Sequence, residues 1–148
     1  MLRNLLIGAG TVTLCLMLQS TMLALAIRYY ARRHDLLATG ASWWSTLFLI
    51  NGVMLLLLLG NLAQVAIWAV VFMQVDEFEM FADAYYHSAV NFASLGYGDI
   101  VMSQRNRLLG PLEAINGILM IGVSTAALLA TFQDAIRGIT QARRGAVE

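Results

Sequence analysis

Three long apolar stretches, each of the length that crosses a lipid bilayer, most constrain how this chain folds. They cover residues 5–27, 46–73 and 108–132, whereas about 20 consecutive apolar residues are enough to span the hydrocarbon core as a helix. Only 12% of the 148 residues are charged, and a soluble domain of this size needs more polar surface than that. The pattern therefore predicts an all-α protein with three transmembrane helices in a lipid bilayer.

The arginines predict which ends of these helices face the cytoplasm. All nine basic residues are arginine, and most lie after the first stretch (Arg28, Arg32, Arg33) or in the tail (Arg137, Arg143, Arg144). Positive charge is retained on the cytoplasmic side. We therefore expect a multi-pass protein of the cell membrane, with a cytoplasmic C-terminus and the loop between the second and third stretches on the extracellular or periplasmic side.

The first stretch has a second interpretation as a signal peptide. Arg3 precedes the apolar run, and residues 24–26 have the small-residue pattern of a cleavage site. The run is long for a signal peptide, and cleavage would place the arginine cluster outside the cell. A resident transmembrane helix is the interpretation that the arginines favour.

A glycine-containing segment lies between the second and third stretches. It reads Ser94-Leu95-Gly96-Tyr97-Gly98-Asp99. Backbone carbonyls replace the water around a cation only when consecutive C=O groups turn the same way, and Gly96 and Gly98 permit the backbone conformations this needs. Ser94 adds a hydroxyl at the inner end, Tyr97 is expected to point away from the ions, and Asp99 to close the outer mouth. An ordinary turn is the alternative interpretation of the glycine pair.

A short helix is predicted immediately before this segment. Residues 83–93 are too few to span a bilayer, and Asp83 is a residue type that caps helix N-termini. The short helix and the glycine-containing segment therefore lie together between two stretches that are long enough to span a bilayer.

These residues resemble the selectivity-filter signature of potassium channels. The resemblance covers about residues 46–132 and implies an outer helix, a re-entrant pore helix, a filter loop and an inner helix, assembled as a homotetramer. It implies that K⁺ is the permeant ion and binds Ser94, Leu95, Gly96 and Tyr97, with Gly98 completing the filter. The implied organisation is a transmembrane helix and cytoplasmic arginine loop (1–42), a potassium-channel pore domain (43–133) and a short cytoplasmic tail (134–148).

Further residues are assigned around this filter. His87 falls where many family members carry an aromatic residue that braces the filter. We expect Glu113 to pack behind the filter, hydrogen-bonded or protonated; an interfacial carboxylate in headgroup water is the alternative. The cavity and gate are assigned to Gly117, Ile118, Ile121, Thr125 and Phe132 on the inner helix, although ordinary core packing explains the same stripe.

Several departures from the family pattern keep other functions open. Ser94, Ala93 and Asn91 stand where threonine is usual, and Val90 stands where some members hold a carboxylate. The sequence therefore predicts a passive potassium channel, with a weakly selective cation channel as the first alternative. A non-conducting membrane subunit is the second, because the polar first helix suggests a partner.

Other functional classes find no support in the sequence. There is no helix with repeated arginines of the kind that senses voltage, and we find no constellation of catalytic residues, so we do not expect an enzyme. No cofactor is expected besides the permeant K⁺. The formal net charge is zero, so no nucleic acid partner is predicted.

Overall fold

Four helices make up the part of the chain that the structure, a computed structural model, describes, which is residues 1–37 and 43–145. They are α1 (Leu2–Leu37), α2 (Trp43–Gln74), α3 (Phe81–Phe92) and α4 (Leu109–Gly145). Three segments are long and apolar enough to cross a membrane: Leu2–Arg33, Trp44–Gln74 and Leu109–Arg137. This confirms the predicted all-helical chain with three helices capable of spanning a bilayer.

The long helices extend beyond the stretches predicted from hydropathy. The arginine segment at 28–33 is part of α1 rather than a loop, and the predicted tail is helical as far as Gly145, continuous with α4. Arginine is a good helix former, so a helix continues through residues too polar to count as membrane-spanning. Positions 38–42 of the predicted loop lie outside the described residues.

The short helix α3 begins two residues before Asp83, which was expected to cap it. Met80 occupies the N-cap position in extended backbone, with no side-chain hydrogen bond to the helix. Asp83 lies in the first helical turn instead, where a negative charge interacts favourably with the helix dipole.

The turn that leads into α3 closes α2 in a defined way. Asp76 has a φ of 60°, and its amide donates to the carbonyl of Met73 while the amide of Glu77 donates to the carbonyl of Phe72 (3.1 Å each). This pair of bonds around a left-handed residue is a Schellman motif, which aspartate tolerates better than most residues. The chain therefore leaves α2 in a fixed direction towards α3.

Helix α1 is bonded to the rest of the chain along its whole length. At one end Arg3 Nη2 donates to Asn106 Oδ1 (2.7 Å), and at the other Tyr30 Oη donates to Asp134 Oδ2 (2.8 Å). Because Gln19 bonds Ser124 and Tyr30 bonds Asp134, positions along α1 and α4 increase together, and the two helices run parallel. The polar residues of α1 that suggested a partner thus include several that bind within the chain.

The middle of α1 forms a polar junction with α2 and α4. Gln19 Nε2 donates to Ser124 Oγ (3.0 Å) and Gln64 Nε2 donates to Gln19 Oε1 (2.8 Å). Asn61 Nδ2 donates to the same serine hydroxyl (3.3 Å). Gln19, Gln64 and Ser124 are all buried, so these bonds satisfy polar groups that have no access to water.

Replacing Gln19 by leucine is expected to lower the free energy of unfolding by about 1–2 kcal/mol, because the buried groups of Gln64 and Ser124 lose a partner. The measurement is unfolding of the purified protein in lipid–detergent mixtures. Ser20→Ala is the matched control, since that exposed hydroxyl donates only to Leu16 of its own helix (2.8 Å). Equal stabilities of the two variants would contradict the role assigned to the junction.

Candidate functional site

The segment from Ser94 to Asp99, called the glycine loop below, has an alternating backbone. The φ angles are 56° at Ser94, 61° at Gly96 and 72° at Gly98, whereas Leu95 and Tyr97 are not among the residues with positive φ. Alternation of left- and right-handed residues turns successive peptide groups to the same side, as it does for the N–H groups of anion-binding nests. The loop therefore has the backbone pattern in which several carbonyls can face one path.

The glycine loop begins directly after the C-terminus of α3. The amide of Ser94 donates to the carbonyl of Asn91 (2.8 Å) and the amide of Leu95 to that of Val90 (2.9 Å). These bonds place Ser94 at the left-handed position that follows a helix. Because the last carbonyls of a helix carry a partial negative charge, this charge lies at the entry to the loop.

The side chains of the glycine loop are exposed in the single chain. Leu95 is 54% and Tyr97 64% accessible, and all residues from 93 to 99 are exposed. A Cβ atom added at Gly96 or Gly98 would meet nothing within 4 Å. The positive φ angles, rather than crowding within the chain, are therefore what favour glycine at these two positions.

Helix α3 holds the C-terminal end of the glycine loop through two side chains. Tyr86 Oη donates to Asp99 Oδ2 (2.7 Å), and this bond lowers the pKa of Asp99 and raises the pKa of Tyr86. His87 Nδ1 lies 3.1 Å from the carbonyl oxygen of Ile100. The residues that follow Gly98 are thus attached to the helix that precedes the loop.

The contacts of His87 define a neutral ring. A carbonyl oxygen only accepts, so Nδ1 carries the proton towards Ile100, and Nε2 accepts from Asn91 Nδ2 (2.9 Å). The ring also packs against Phe72 and Phe78, with centroid distances of 5.5 Å and 5.1 Å. Burial lowers the pKa of His87, which outweighs the opposing effects of Ile100 and the nearby carboxylates.

A second set of bonds braces the segment between the glycine loop and α4. The Glu77 carboxylate accepts from the Ser103 amide and from Asn106 Nδ2 (2.7 Å each). Burial opposes ionisation of Glu77, but the bonds from Ser103 and Asn106 outweigh it and lower the pKa. Asn106 Oδ1 also accepts a hydrogen bond from Arg3, which connects α1 to this segment.

Glu113 lies behind α3, fully buried on α4. Its Oε1 atom is hydrogen-bonded to Ser88 Oγ, and the same hydroxyl bonds the carbonyl of Val65 on α2 (2.8 Å). One turn further on, a Cβ atom added to Gly117 would lie 2.0 Å from the carbonyl oxygen of Phe92. The inner part of α4 thus approaches the backbone of α3 at the start of the glycine loop.

The sequence profile of the Ion channel family matches residues 53–134, more than half of the chain. The chain belongs to the Ion channel family. No curated protein and no solved structure matches it. The matched segment contains the glycine loop, Glu113 and Gly117, whereas α1 lies outside it.

Membership of this family makes the protein an ion channel, which indicates transport rather than catalysis. The three helices able to cross a membrane agree with this.

The residues assigned to a cavity and gate lie on a different face of α4 from Glu113. Ile118, Ile121 and Phe132 are 63%, 41% and 40% accessible, and Thr125 is also exposed, with its hydroxyl donating to the carbonyl of Ile121 (2.9 Å). Gly117 instead contacts α3. The structure of one chain of the channel therefore leaves this face open and separates it from the buried face.

Several residues of the site carried no signal in the sequence. Ser88, Ser103 and Asn106 are ordinary polar residues with partners 23 to 31 positions away, and Asn106 also bonds Arg3, which is 103 positions away. Ser94 was predicted to supply a hydroxyl, but its left-handed backbone was not predicted.

Acidification is expected to destabilise the channel through His87. Because its pKa is lowered on folding, its contribution to stability is present above about pH 6.5 and is lost as the pH falls through the lowered value. Thermal unfolding between about pH 7 and pH 5 measures this. His87→Phe keeps an aromatic ring without a titrating group and should lose less stability over that range; an identical profile in both proteins would contradict the assignment.

Proposed function

We propose that the channel conducts potassium ions passively through a selectivity filter made by the glycine loop. The backbone oxygens of Ser94, Leu95, Gly96 and Tyr97 would coordinate K⁺, with Gly98 shaping the outer end. The observation that supports this is the alternating sign of φ along the loop. Carbonyl groups arranged in this way replace the hydration shell of a cation.

A homotetramer would complete the site. One chain offers its carbonyls from a single side, whereas a dehydrated cation needs oxygens around it, and the four loops of a tetramer supply them. The exposed Leu95 and Tyr97 side chains, together with the open face of α4 at Ile118 and Ile121, offer surface for neighbouring copies to cover. The exposure of these apolar residues in the single chain supports this proposal.

The charges around the loop favour a cation. The C-terminal end of α3 directs its partial negative charge towards the loop entry, and Asp99 stands at the other end with a lowered pKa. The loop would lie on the extracellular or periplasmic side of the cell membrane and the end of α4 in the cytoplasm, as the arginines favour.

Flux into vesicles tests the proposal. The protein is reconstituted in vesicles loaded with potassium, and rubidium uptake driven by the gradient is expected, with block by barium. Absence of barium-sensitive uptake by a verified tetramer would contradict potassium conduction and would favour a non-conducting subunit.

A weakly selective cation channel is the second candidate. It is favoured by the residues behind the loop, because Asn91 binds His87 (2.9 Å) at a position where the potassium-channel pattern has threonine. Reversal potentials under opposed potassium and sodium gradients distinguish the two. A permeability ratio near unity supports weak selectivity, and a strong preference for potassium rejects it.

A further inference from the structure

We propose that Glu113 is a protonated acid that joins three helices of the channel by donating a hydrogen bond to Ser88, whose own proton goes to the carbonyl of Val65. Glu113 lies on α4, Ser88 on α3 and Val65 on α2. These two consecutive hydrogen bonds, called the relay below, lie in the interior of the chain and involve the helix that precedes the glycine loop.

The count of protons requires this direction. Ser88 has one hydroxyl proton, and its oxygen lies within hydrogen-bonding distance of two acceptors, the carbonyl of Val65 (2.8 Å) and Glu113 Oε1. A backbone carbonyl has no proton to give, so both contacts are hydrogen bonds only when the serine proton goes to Val65. The contact between Ser88 and Glu113 is then a hydrogen bond only if the glutamic acid supplies the second proton.

The surroundings of Glu113 agree with a neutral group. The side chain is fully buried, and its Oε2 atom has no hydrogen-bond partner. Among the side chains that the structure describes, those of residues 1–33 and 44–137, no arginine pairs with it; the groups near it are Ser88 and Asn91 of α3 and Cys15 of α1. An ionised carboxylate without a counter-charge is strongly disfavoured in such a place, whereas a neutral acid needs no ion pair.

The relay makes Glu113 a positioning residue for α3. Loss of its proton would leave Ser88 with one proton for two acceptors, so only one of its two links, to Val65 on α2 or to Glu113 on α4, could persist. Any effect of Glu113 on conduction rests on the proposed function, since the glycine loop that follows α3 is the proposed filter. The protonation of Glu113 does not rest on the proposed function.

Infrared spectroscopy of the channel in lipid bilayers at neutral pH tests the protonation. A protonated carboxylic acid has a C=O absorption separate from that of an ionised carboxylate, and we expect this absorption in the wild-type channel and its loss in Glu113→Gln. Asp134→Asn is the control, because Asp134 is exposed and should leave the absorption unchanged. If the wild-type and Glu113→Gln spectra of folded protein agree in this region, the proposal is overturned.

Comparison of substitutions tests the donor role independently of conduction. The glutamine side chain keeps an N–H donor for Ser88, so Glu113→Gln should unfold near the wild-type temperature, whereas Glu113→Ala should unfold at a lower one. A Glu113→Gln channel as destabilised as Glu113→Ala would show that a donor at this position is not sufficient and would overturn the proposal. Flux that is absent in wild type while the infrared band is present would reject the proposed function and leave the relay standing.

Discussion

Rubidium uptake by the Gly98→Ala channel is expected to fall to the level of empty vesicles. Gly98 has a φ of 72°, and a left-handed backbone costs an L-residue with a side chain about 1–2 kcal/mol. Nothing lies within 4 Å of the added methyl group, so the side chain itself fits. The strain is relieved by returning φ to a negative value, which turns the neighbouring peptide group and removes its carbonyl from the proposed ion path.

Gly10→Ala is the matched control for this experiment. Gly10 is in α1, outside the segment matched by the family, and an added Cβ meets nothing within 4 Å there either. Its φ is not positive, so alanine should leave uptake unchanged. Wild-type uptake by Gly98→Ala would contradict the carbonyl path, because the same amount of side chain is added in both variants and only the backbone requirement differs.

Gly117→Ala is expected to lower the free energy of unfolding by about 1–3 kcal/mol, as overpacking does in a closely packed interior. The added Cβ would lie 2.0 Å from the carbonyl oxygen of Phe92 and 2.7 Å from its carbon atom, and these are backbone atoms that do not rotate away. Either α4 or the end of α3 must move. Unfolding in lipid–detergent mixtures measures the loss, and ion uptake should fall with it.

A second glycine of α4 provides a control for which no loss of stability is expected. Gly122 is also in α4, and an added Cβ there meets nothing within 4 Å. Because alanine is favoured over glycine in a helix by about 0.5–1 kcal/mol, Gly122→Ala should leave stability unchanged or raise it. Destabilisation of both variants by similar amounts would show that close approach to Phe92 is not the reason for glycine at position 117.

The spanning helices could be predicted from the sequence because hydropathy is a local property. The ends of these helices could not be predicted in the same way. A helix continues until its backbone groups find other hydrogen-bond partners, whereas the apolar stretch stops earlier. The arginines after residue 27 mark where the apolar run stops, but α1 continues to Leu37. Asp83 is likewise a good capping residue by type, yet Met80 takes that position because the Schellman turn at Asp76 fixes where the chain enters α3.

The glycine loop was predictable in part. Gly96 and Gly98 indicate their own backbone conformation, since a positive φ is the usual reason for glycine outside a regular element. Ser94 does not indicate its own conformation, because a serine residue can be found at either sign of φ and by its type indicates neither. The bonds of Tyr86 and His87 to positions 13 residues later depend on how α3 and the following segment meet, and such tertiary contacts leave no periodic pattern.

The bond between Arg3 and Asn106 bears on how the channel is best handled in the laboratory. Asn106 also donates a hydrogen bond to the Glu77 carboxylate, so Arg3 in the first turn of α1 belongs to one polar cluster with Asn106 and Glu77. An affinity tag or fluorescent reporter fused just ahead of Arg3 would crowd that cluster, and we expect it to disturb current recordings. Fusion after Gly145, at the opposite end of the bundle from that cluster, is the safer design.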